Sequence, residues 1–257
     1  MNDLKGKVAV ITGASRGIGA GLADRFLQRG LSLGLCARNM PAERRDAAVQ
    51  DSQRRNVISC SLDVSDHQAL EGFTDRVIQR FQRIDLWVNN AGILDPIGPL
   101  RDLDPEHLEN NFRTNITGVA LGCRLFARHV RTRPGGGILV NITSGAALTP
   151  YEGWAPYCSS KAAVNMLTEI VALEESDAGL RSYAVAPGVV DTSMQKTIRA
   201  CTPEQFPAVS RFIQIAQSGG FSSPAWVADQ LLELAFTQRP YAPTRDHVVV
   251  RLPILDT

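Results

Sequence analysis

The stretch from Lys7 to Gly19 reads KVAVITGASRGIG and gives the strongest indication of the fold. Lys7–Thr12 is an apolar run of strand length. It leads directly into a turn with three glycines, after which helical periodicity begins. Glycine lets the backbone turn sharply and approach a neighbouring group closely. The order of strand, glycine turn and helix predicts the first unit of an α/β fold.

The rest of the chain repeats this alternation, with short runs rich in Val, Ile and Leu. Such runs are typical of parallel strands covered on both faces. The predicted strands are Lys7–Thr12, Ser32–Cys36, Val57–Ser61, Asp85–Asn89, Gly137–Ile142, Leu180–Ala186 and His247–Arg251. The predicted helices are 18–29, 41–54, 66–82, 105–131, 156–176 and 224–236. Asp66 suits a helix cap, and Pro105 and Pro224 suit a first helical turn.

This alternation predicts one domain over residues 1–257, a Rossmann-type doubly wound parallel sheet of about seven strands with helices on both faces. One segment, roughly 193–223, interrupts the pattern. It contains Pro203, Pro207 and a Gly219-Gly220 pair. Its mixed composition predicts a partly mobile flap over a substrate site.

Composition excludes several classes of protein. The 257 residues carry 27 Lys+Arg and 26 Asp+Glu, a formal charge of +1, which argues against a nucleic-acid or membrane-surface partner. No apolar run approaches the ~18 residues of a membrane span, and the first residues do not form a signal peptide. Five widely spaced cysteines and four scattered histidines predict reduced thiols in the cytoplasm and no metal site.

The glycine turn predicts a dinucleotide site at Gly13, Ser15, Gly17, Ile18 and Gly19. Here the backbone can approach a pyrophosphate, and the following helix directs free N–H groups at that anion. The alternative is a plain strand-to-helix turn. Which dinucleotide binds is decided after the second strand, where NAD requires an acid and NADP a cation.

At that position stands Arg38, with no acid nearby, and Arg16 lies in the glycine turn. Two cations at one locus predict NADP(H). The alternative is that both arginines are solvated surface residues.

Further motifs follow in order along the chain. They are Asn89-Asn90-Ala91-Gly92 after the fourth strand, Asn115 in a helical run, Ser144 thirteen residues before Tyr157, Tyr157-Cys158-Ser159-Ser160-Lys161, and Pro187-Gly188-Val189-Val190-Asp191-Thr192 after the sixth strand. This order resembles that of the short-chain dehydrogenase/reductase family over nearly the whole chain. The resemblance implies a carbonyl reductase that uses NADPH, a small-molecule carbonyl substrate, and a homodimer or homotetramer.

The residue types suit ketone reduction, which needs a hydride at carbon and a proton at oxygen. Free tyrosine, with a pKa of ~10, needs a nearby positive charge to act at neutral pH. Tyr157 and Lys161 lie four residues apart, hence on one helix face. We expect Tyr157 to be the general acid and Lys161 to lower its pKa, while Ser144 orients the carbonyl. The alternatives are a core tyrosine, a surface lysine and a helix-capping serine.

The resemblance also implies a role for Asn115 and further cofactor contacts. Asn115 would hold a water that links Lys161 to solvent. Asp63 and Val64 would bind the adenine, although Asp63 is alternatively a helix cap. Asn89, Ala91 and Gly92 would shape the wall near the adenine ribose, and Thr192 would bind the carboxamide. The backbone of Pro187, Gly188 and Val190 would close over the ring and permit pro-S hydride transfer.

Two stretches resemble the sepiapterin reductase branch, whose bacterial relatives include benzil reductases. They are Pro150–Met166, with Leu173-Glu174-Glu175 just beyond it, and Asp191–Gln195. That branch carries a His-Val-Asp segment whose Asp anchors the pterin, and here Val249 takes its place. This departure favours an aromatic ketone or 1,2-diketone over a pterin. Candidate pocket residues, alternatively core residues, are Trp154, Met194, Phe206, Phe212 and Ile215.

Two other functions remain open on the sequence. One is an alcohol dehydrogenase of the same family that runs with NADP⁺ in the opposite direction. The other is a non-catalytic module that senses NADP(H), although the presence of Asn115, Ser144, Tyr157 and Lys161 together weighs against it.

Overall fold

In the described part of the chain, seven strands form one parallel sheet in the order β3-β2-β1-β4-β5-β6-β7. The computed structural model describes residues 4–41, 56–237 and 240–253. The strands are β1 Val8–Thr12, β2 Ser32–Ala37, β3 Val57–Ser61, β4 Leu86–Asn89, β5 Gly137–Ile142, β6 Leu180–Ala186 and β7 Val249–Arg251. The predicted parallel, doubly wound sheet is confirmed.

Helices follow most strands. They are α1 Gly17–Gln28, α2 His67–Phe81, α3 Pro105–Phe112, α4 Gly118–Arg131, α5 Ala155–Glu174, α6 Ser193–Arg199, α7 Val209–Gln217, α8 Pro224–Phe236 and α9 Arg245–Val248. Asp66 caps α2 by accepting from the N–H of Ala69, and Pro105 and Pro224 stand in first turns, as predicted. In the described part of the chain, none of these helices combines the length and the apolar character of a membrane span.

Helices cover both faces of the sheet. Alternate residues of each strand point to opposite faces, so they pack against different helices. Ala9 and Ile11 join one buried cluster with α1 and α8, whereas Val8 and Val10 join a second with α2, α4 and α5. The chain reaches the sheet edge at β3 and returns to β4, beside β1. The strand order reverses at this point, so a crevice opens at the carboxyl ends of β1 and β4.

Two predicted elements are corrected. The single helix over 105–131 is broken by a π-helical turn at Arg113–Thr117, which lies between α3 and α4. Such turns are rare and are frequently found at functional sites. The strand predicted over His247–Arg251 is a short helix, α9, followed by the three residues of β7. The helix predicted over 41–54 lies almost wholly outside the described residues.

The segment 193–223 contains two short helices, α6 and α7. Ile198 from α6 and Phe212 from α7 pack with Trp154 and Phe206 in a third apolar cluster. Met194, Phe212 and other residues of the segment also line the crevice. Its mobility stays a prediction.

His129 is a buried histidine at the opposite end of the sheet from the crevice. Its Nε2 accepts from the N–H of Ile84 at 3.0 Å and from Nε of Arg133 at 3.1 Å. Burial and then the Arg133 charge lower the pKa of His129 below its usual 6.5, although Asp85 nearby acts in the opposite sense and Arg83 in the same sense. The neutral ring is thus the form that the fold requires.

We expect the melting temperature to fall as pH drops below about 6.5. A histidine whose pKa is lowered by folding takes up its proton first in the unfolded chain, so acid favours unfolding. His129→Gln keeps an acceptor for Ile84 but has no such proton to take up. Between about pH 7 and pH 5.5, the melting temperature of His129→Gln should therefore fall less with decreasing pH than that of the wild type. Parallel curves would contradict this role.

Candidate active site

The glycine turn between β1 and α1 is held against the loop after β4. A Cβ on Gly13 would lie 2.7 Å from the Cα of Ala91, and one on Gly19 would lie 2.3 Å from the carbonyl oxygen of Gly13. Gly13 also has a φ of +66°. Thr12 Oγ1 accepts from the N–H groups of Asn90 and Ala91, both at 3.0 Å. The turn therefore needs glycine for close packing as well as for its backbone angles.

Asn89 was predicted to shape the crevice wall, and this is corrected. Its side chain is buried at the end of β4, where Oδ1 accepts from Nε1 of Trp87 at 2.7 Å and Nδ2 donates to Asn141 at 2.8 Å. Asn90, the next residue, faces the crevice and donates to the carbonyls of Thr12 and Gly13. Adjacent residues at a strand end point to opposite sides, so only one of the pair can reach the site.

One end of the crevice is cationic. Arg16 and Arg38 line it, and both are exposed. Asp63 lies beside Arg38 and accepts from the backbone and hydroxyl of Ser65, both at 2.8 Å. Burial raises the pKa of Asp63, but the Ser65 hydrogen bonds and the charges of Arg38 and Arg113 outweigh it and lower the pKa below its usual value. Asp66, not Asp63, caps the following helix.

Ser144 and Tyr157 meet at the other end of the crevice. Ser144 follows β5 and its Oγ accepts from the N–H of Ala146 at 3.2 Å, which orients the hydroxyl. Burial raises the pKa of Tyr157 to about 12, and the hydrogen bond from Ser144 opposes this rise. Ser144 thus caps a short helical turn and also lies close enough to Tyr157 to oppose the rise of its pKa.

Lys161 projects from the same face of α5 as Tyr157. Its Nζ lies 5.7 Å from the centre of the tyrosine ring and donates to the carbonyl of Ile142 at 2.8 Å. Burial lowers the pKa of Lys161 to about 8. We expected Lys161 to lower the pKa of Tyr157, but burial of the phenol dominates and the opposing hydrogen bond comes from Ser144. The four-residue spacing of Tyr157 and Lys161 in the sequence places their side chains together. It does not show that burial outweighs the opposing effects on the pKa of Tyr157.

Asn115 lies at the centre of the π turn, wholly buried. Its Oδ1 accepts from the N–H of Ile93 and its Nδ2 donates to the carbonyl of Ile93, each at 2.8 Å. Its Nδ2 also donates to Asn111 at 3.1 Å and Ser160 at 3.2 Å. Asn115 therefore ties the broken helix to the loop after β4 and to the helix that carries Tyr157. It does not line the crevice itself.

A Cβ on Gly92 would lie 3.3 Å from Asn115 Oδ1 and 3.6 Å from Lys161 Nζ. The two side chains therefore flank Gly92.

The crevice has a volume of about 600 Å³ and contains most of the predicted cofactor residues. Gly19 and Asn89 are outside its wall. The predicted residues that line it are Gly13, Ser15, Arg16, Gly17, Ile18, Arg38, Asp63, Val64, Ala91, Gly92, Ser144, Tyr157, Lys161, Pro187, Gly188, Val190 and Thr192. In the described chain, no group of three His, Cys, Asp or Glu residues could hold a metal.

Aromatic residues form the wall beyond Tyr157. Trp154, Met194, Phe212 and Ile215 line the crevice. Phe206 does not, because it is wholly buried and stacked behind Trp154 with ring centres 4.3 Å apart and planes at 7°. Phe206 is thus a supporting core residue, which corrects its place among the pocket residues.

Several residues that line the crevice were not predicted from the sequence motifs. Thr114 and Gln195 each have a buried side-chain oxygen without a hydrogen-bond partner in the described chain, and both adjoin residues already singled out. Tyr151 accepts from Arg211 at 3.1 Å across the mouth. Asp95 and Arg211 come from loop and flap positions that no motif marks.

Val249 does not line the crevice. It pairs with Ala184 as the first residue of β7, and Arg251 is the residue of that strand that reaches the wall. Val249 therefore gives no reason to disfavour a pterin, which corrects the prediction based on it. Asp95 lines the crevice and adds a carboxylate to its wall.

The crevice fits a dinucleotide. The glycine turn is closely packed, and α1 begins at its edge with no acidic residue in its first turn, so N–H groups face an anion. Arg16, Arg38 and Asp63 would hold the adenosine end. Lys161 and Thr192 would hold the nicotinamide end, and Thr192 lies against the glycine turn near Gly17.

Comparison with known proteins agrees with this arrangement. Residues 7–202 match the short chain dehydrogenase family. The chain belongs to this family, whose members are oxidoreductases that act on hydroxyl and carbonyl groups of small molecules with a nicotinamide cofactor.

Particular relatives are similar over most of their length. The chain is 32% identical to a benzil reductase ((S)-benzoin forming) of Bacillus subtilis (strain 168), over 88% of this chain and 91% of the relative. It is 33% identical to 3beta-hydroxysteroid dehydrogenase 1 of Eggerthella lenta, over 88% of each. A solved structure of ElxO with NADP bound superposes with a TM-score of 0.79 at 27% identity, over 95% of this chain and 96% of that one.

Proposed function

We propose that the protein is an NADPH-dependent carbonyl reductase with Tyr157 as the proton donor. The observation that carries the proposal is the buried Tyr157, which lies with Ser144 and Lys161 in a crevice that fits a dinucleotide. A bound nicotinamide supplies the hydride that a carbonyl carbon accepts.

The protein's own groups handle the proton and the charge. Tyr157 Oη donates a proton to the carbonyl oxygen, and Ser144 donates a hydrogen bond that orients it. The raised pKa of Tyr157 keeps the phenol protonated and ready to donate. The charged Lys161 stabilises the phenolate left behind, and a water held near Asn115 would return the proton from solvent.

NADP(H) is the proposed cofactor because Arg16 and Arg38 flank the adenosine end and no acid follows Ala37 directly. ElxO, a structural relative, was solved with NADP bound. Asp63 lies near Arg38 but is engaged with Ser65.

We expect Arg38→Asp to lower the ratio of kcat/KM for NADPH over that for NADH by about 100-fold. The substitution replaces the charge-assisted contact that Arg38 would make with the 2′-phosphate of NADPH by a repulsive negative charge. Arg101→Asp, which changes an exposed arginine outside the crevice, is the matched control. An unchanged cofactor ratio in Arg38→Asp would show that Arg38 is a surface charge only.

The proposed substrate is an aromatic 1,2-diketone. The wall beyond Tyr157 is built from Trp154, Met194 and Phe212, and relatives from three organisms are benzil reductases. A pterin-like substrate is the second candidate, because Asp95 adds a carboxylate to the crevice wall. Rates with benzil, 1-phenyl-1,2-propanedione, sepiapterin and a simple aliphatic ketone separate the two. Faster turnover of sepiapterin than of the diketones would select the pterin.

The opposite direction, alcohol oxidation with NADP⁺, uses the same residues and is proposed as the alternative, since one relative is a hydroxysteroid dehydrogenase. A sensing module would need none of the Ser144–Tyr157–Lys161 geometry. It would bind NADPH and turn over no carbonyl compound.

We also propose a homodimer or homotetramer in the cytoplasm. Met166, Ile170 and Leu173 form an exposed apolar stripe along α5, at the spacing of one helix face. Light scattering would give two or four chain masses if this stripe is paired. All five cysteines are free thiols, which fits a reducing compartment.

A further inference from the structure

Arg211 is a cation on the wall of the crevice. It belongs to α7, and it lines the crevice together with Phe212 and Ile215 of the same helix. Its Nη1 donates to Oη of Tyr151, which stands just before α5, at 3.1 Å. Because the side chain is exposed, the other N–H groups of its guanidinium are accessible to a molecule that enters the crevice.

In the part of the chain that the structure describes, no carboxylate neutralises Arg211. Its one hydrogen bond is to the neutral hydroxyl of Tyr151. Arg25 and Arg131 provide the contrast, because each holds a carboxylate oxygen at 2.8 Å. Asp95 also lines the crevice, but it is not within ion-pair distance of Arg211. An arginine with an unpaired charge on the wall of a ligand site is suited to bind an anion.

Tyr151 adds a second donor beside this charge. A phenol oxygen that accepts a hydrogen bond keeps its own proton, so Tyr151 and Arg211 can both donate to one ligand. A carboxylate has two acceptor oxygens for two such donors. The ring of Tyr151 lies 5.1 Å from that of Trp154, which lies 5.6 Å from that of Tyr157. The indole of Trp154 therefore links the two donors to the proposed proton donor.

We propose that Arg211 and Tyr151 bind a carboxylate of the substrate, carried at the end remote from the carbonyl that Tyr157 protonates. This inference rests on the proposed function and deepens it, because it makes the preferred substrate an acidic aromatic 1,2-diketone. Arg211 is then a specificity-determining residue of the flap. It selects the substrate and takes no part in proton transfer.

The test compares para-carboxybenzil with para-carbamoylbenzil, in which a neutral amide of similar size replaces the carboxylate. We expect the wild type to have the higher kcat/KM for the acid, and this preference to fall as salt is added. Arg211→Gln should lower the ratio of kcat/KM for the acid over the amide about fivefold, the equivalent of ~1 kcal/mol. Arg211→Lys should keep part of the ratio, since it retains the charge but loses the planar fork.

Arg251→Gln is the matched control. Arg251 is also an exposed arginine on the crevice wall, but it belongs to β7. We expect this variant to keep the ratio of acid over amide. An equal fall in Arg211→Gln and Arg251→Gln would mean that the overall charge of the crevice selects the acid, which would contradict the inference. Tyr151→Phe should lower the ratio only about twofold, because the charge remains.

A binding measurement separates the failure of this inference from that of the proposed function. The acid and the amide are titrated into the NADP⁺ complex of each protein by calorimetry, so no turnover is needed. Tighter binding of the acid that is lost in Arg211→Gln alone would support the inference. Equal binding of the two compounds by the wild type, or an unchanged ratio in Arg211→Gln, would overturn it even if benzil is reduced. A wild type that reduces none of these diketones would overturn the proposed function, and the binding ratio would then decide whether Arg211 selects acids.

Discussion

Tyr157→Phe should lower the rate of carbonyl reduction by about 10³-fold or more, while NADPH affinity stays within a few fold of the wild type. The substitution removes one hydroxyl, the proposed proton donor. The ring remains to pack against Trp154, whose centre is 5.6 Å away. Turnover falls because the carbonyl oxygen then has no acid within reach, whereas the cofactor keeps its contacts along the crevice.

Steady-state rates and NADPH fluorescence titration measure the two quantities separately. Tyr241→Phe is the matched control, since it removes a hydroxyl that is hydrogen-bonded to the backbone of Ser182 in β6, outside the crevice. That variant should keep its catalytic rate. Substantial turnover by Tyr157→Phe would mean that another group supplies the proton.

Lys161→Met should lower kcat by about 100-fold or more and weaken NADPH binding by about tenfold. Methionine fills the volume but loses the ammonium group, which is buried beside Tyr157 and donates to the carbonyl of Ile142. Loss of both the phenolate stabilisation and the proposed contact with the nicotinamide end of the cofactor should affect both constants. Lys196→Met, at an exposed position of α6, should change neither.

The same residue gives a pH dependence with a definite sign. Burial lowers the pKa of Lys161 to about 8, so its charge is present below that pH and lost above it. Reduction should therefore slow as pH rises through about 8, because Tyr157, with a pKa of about 12, is still protonated there. This basic limb should disappear in Lys161→Met. A limb that persists in the variant would assign it to another group.

The sequence predicts the sheet well because each strand is a short apolar run between turn residues. It also places Tyr157 and Lys161 on one helix face. The break in the 105–131 helix could not be predicted, since it depends on the backbone of Ile93, which Asn115 contacts across the fold. Local helix propensity contains no information about such a partner.

Other misplacements have equally physical causes. Asn89 and Asn90 are identical in type, and only the phase of the strand decides which of them faces the crevice. Phe206 is stacked directly behind Trp154, so only one layer of packing separates it from the crevice. The sequence does not show which of the two rings lies in front. The resemblance to the His-Val-Asp segment predicted that Val249 lies at the substrate site. A short helix precedes β7, and Arg251 is the residue of that strand that lines the crevice.

The most direct test of the account is the reduction of benzil by the wild-type enzyme with NADPH, followed at 340 nm. Benzoin should be quantified against the NADPH consumed, with NADH alongside. We predict one benzoin for each NADPH oxidised and a much lower rate with NADH. NADPH that binds while no benzoin forms from benzil would contradict the proposed reduction of an aromatic 1,2-diketone.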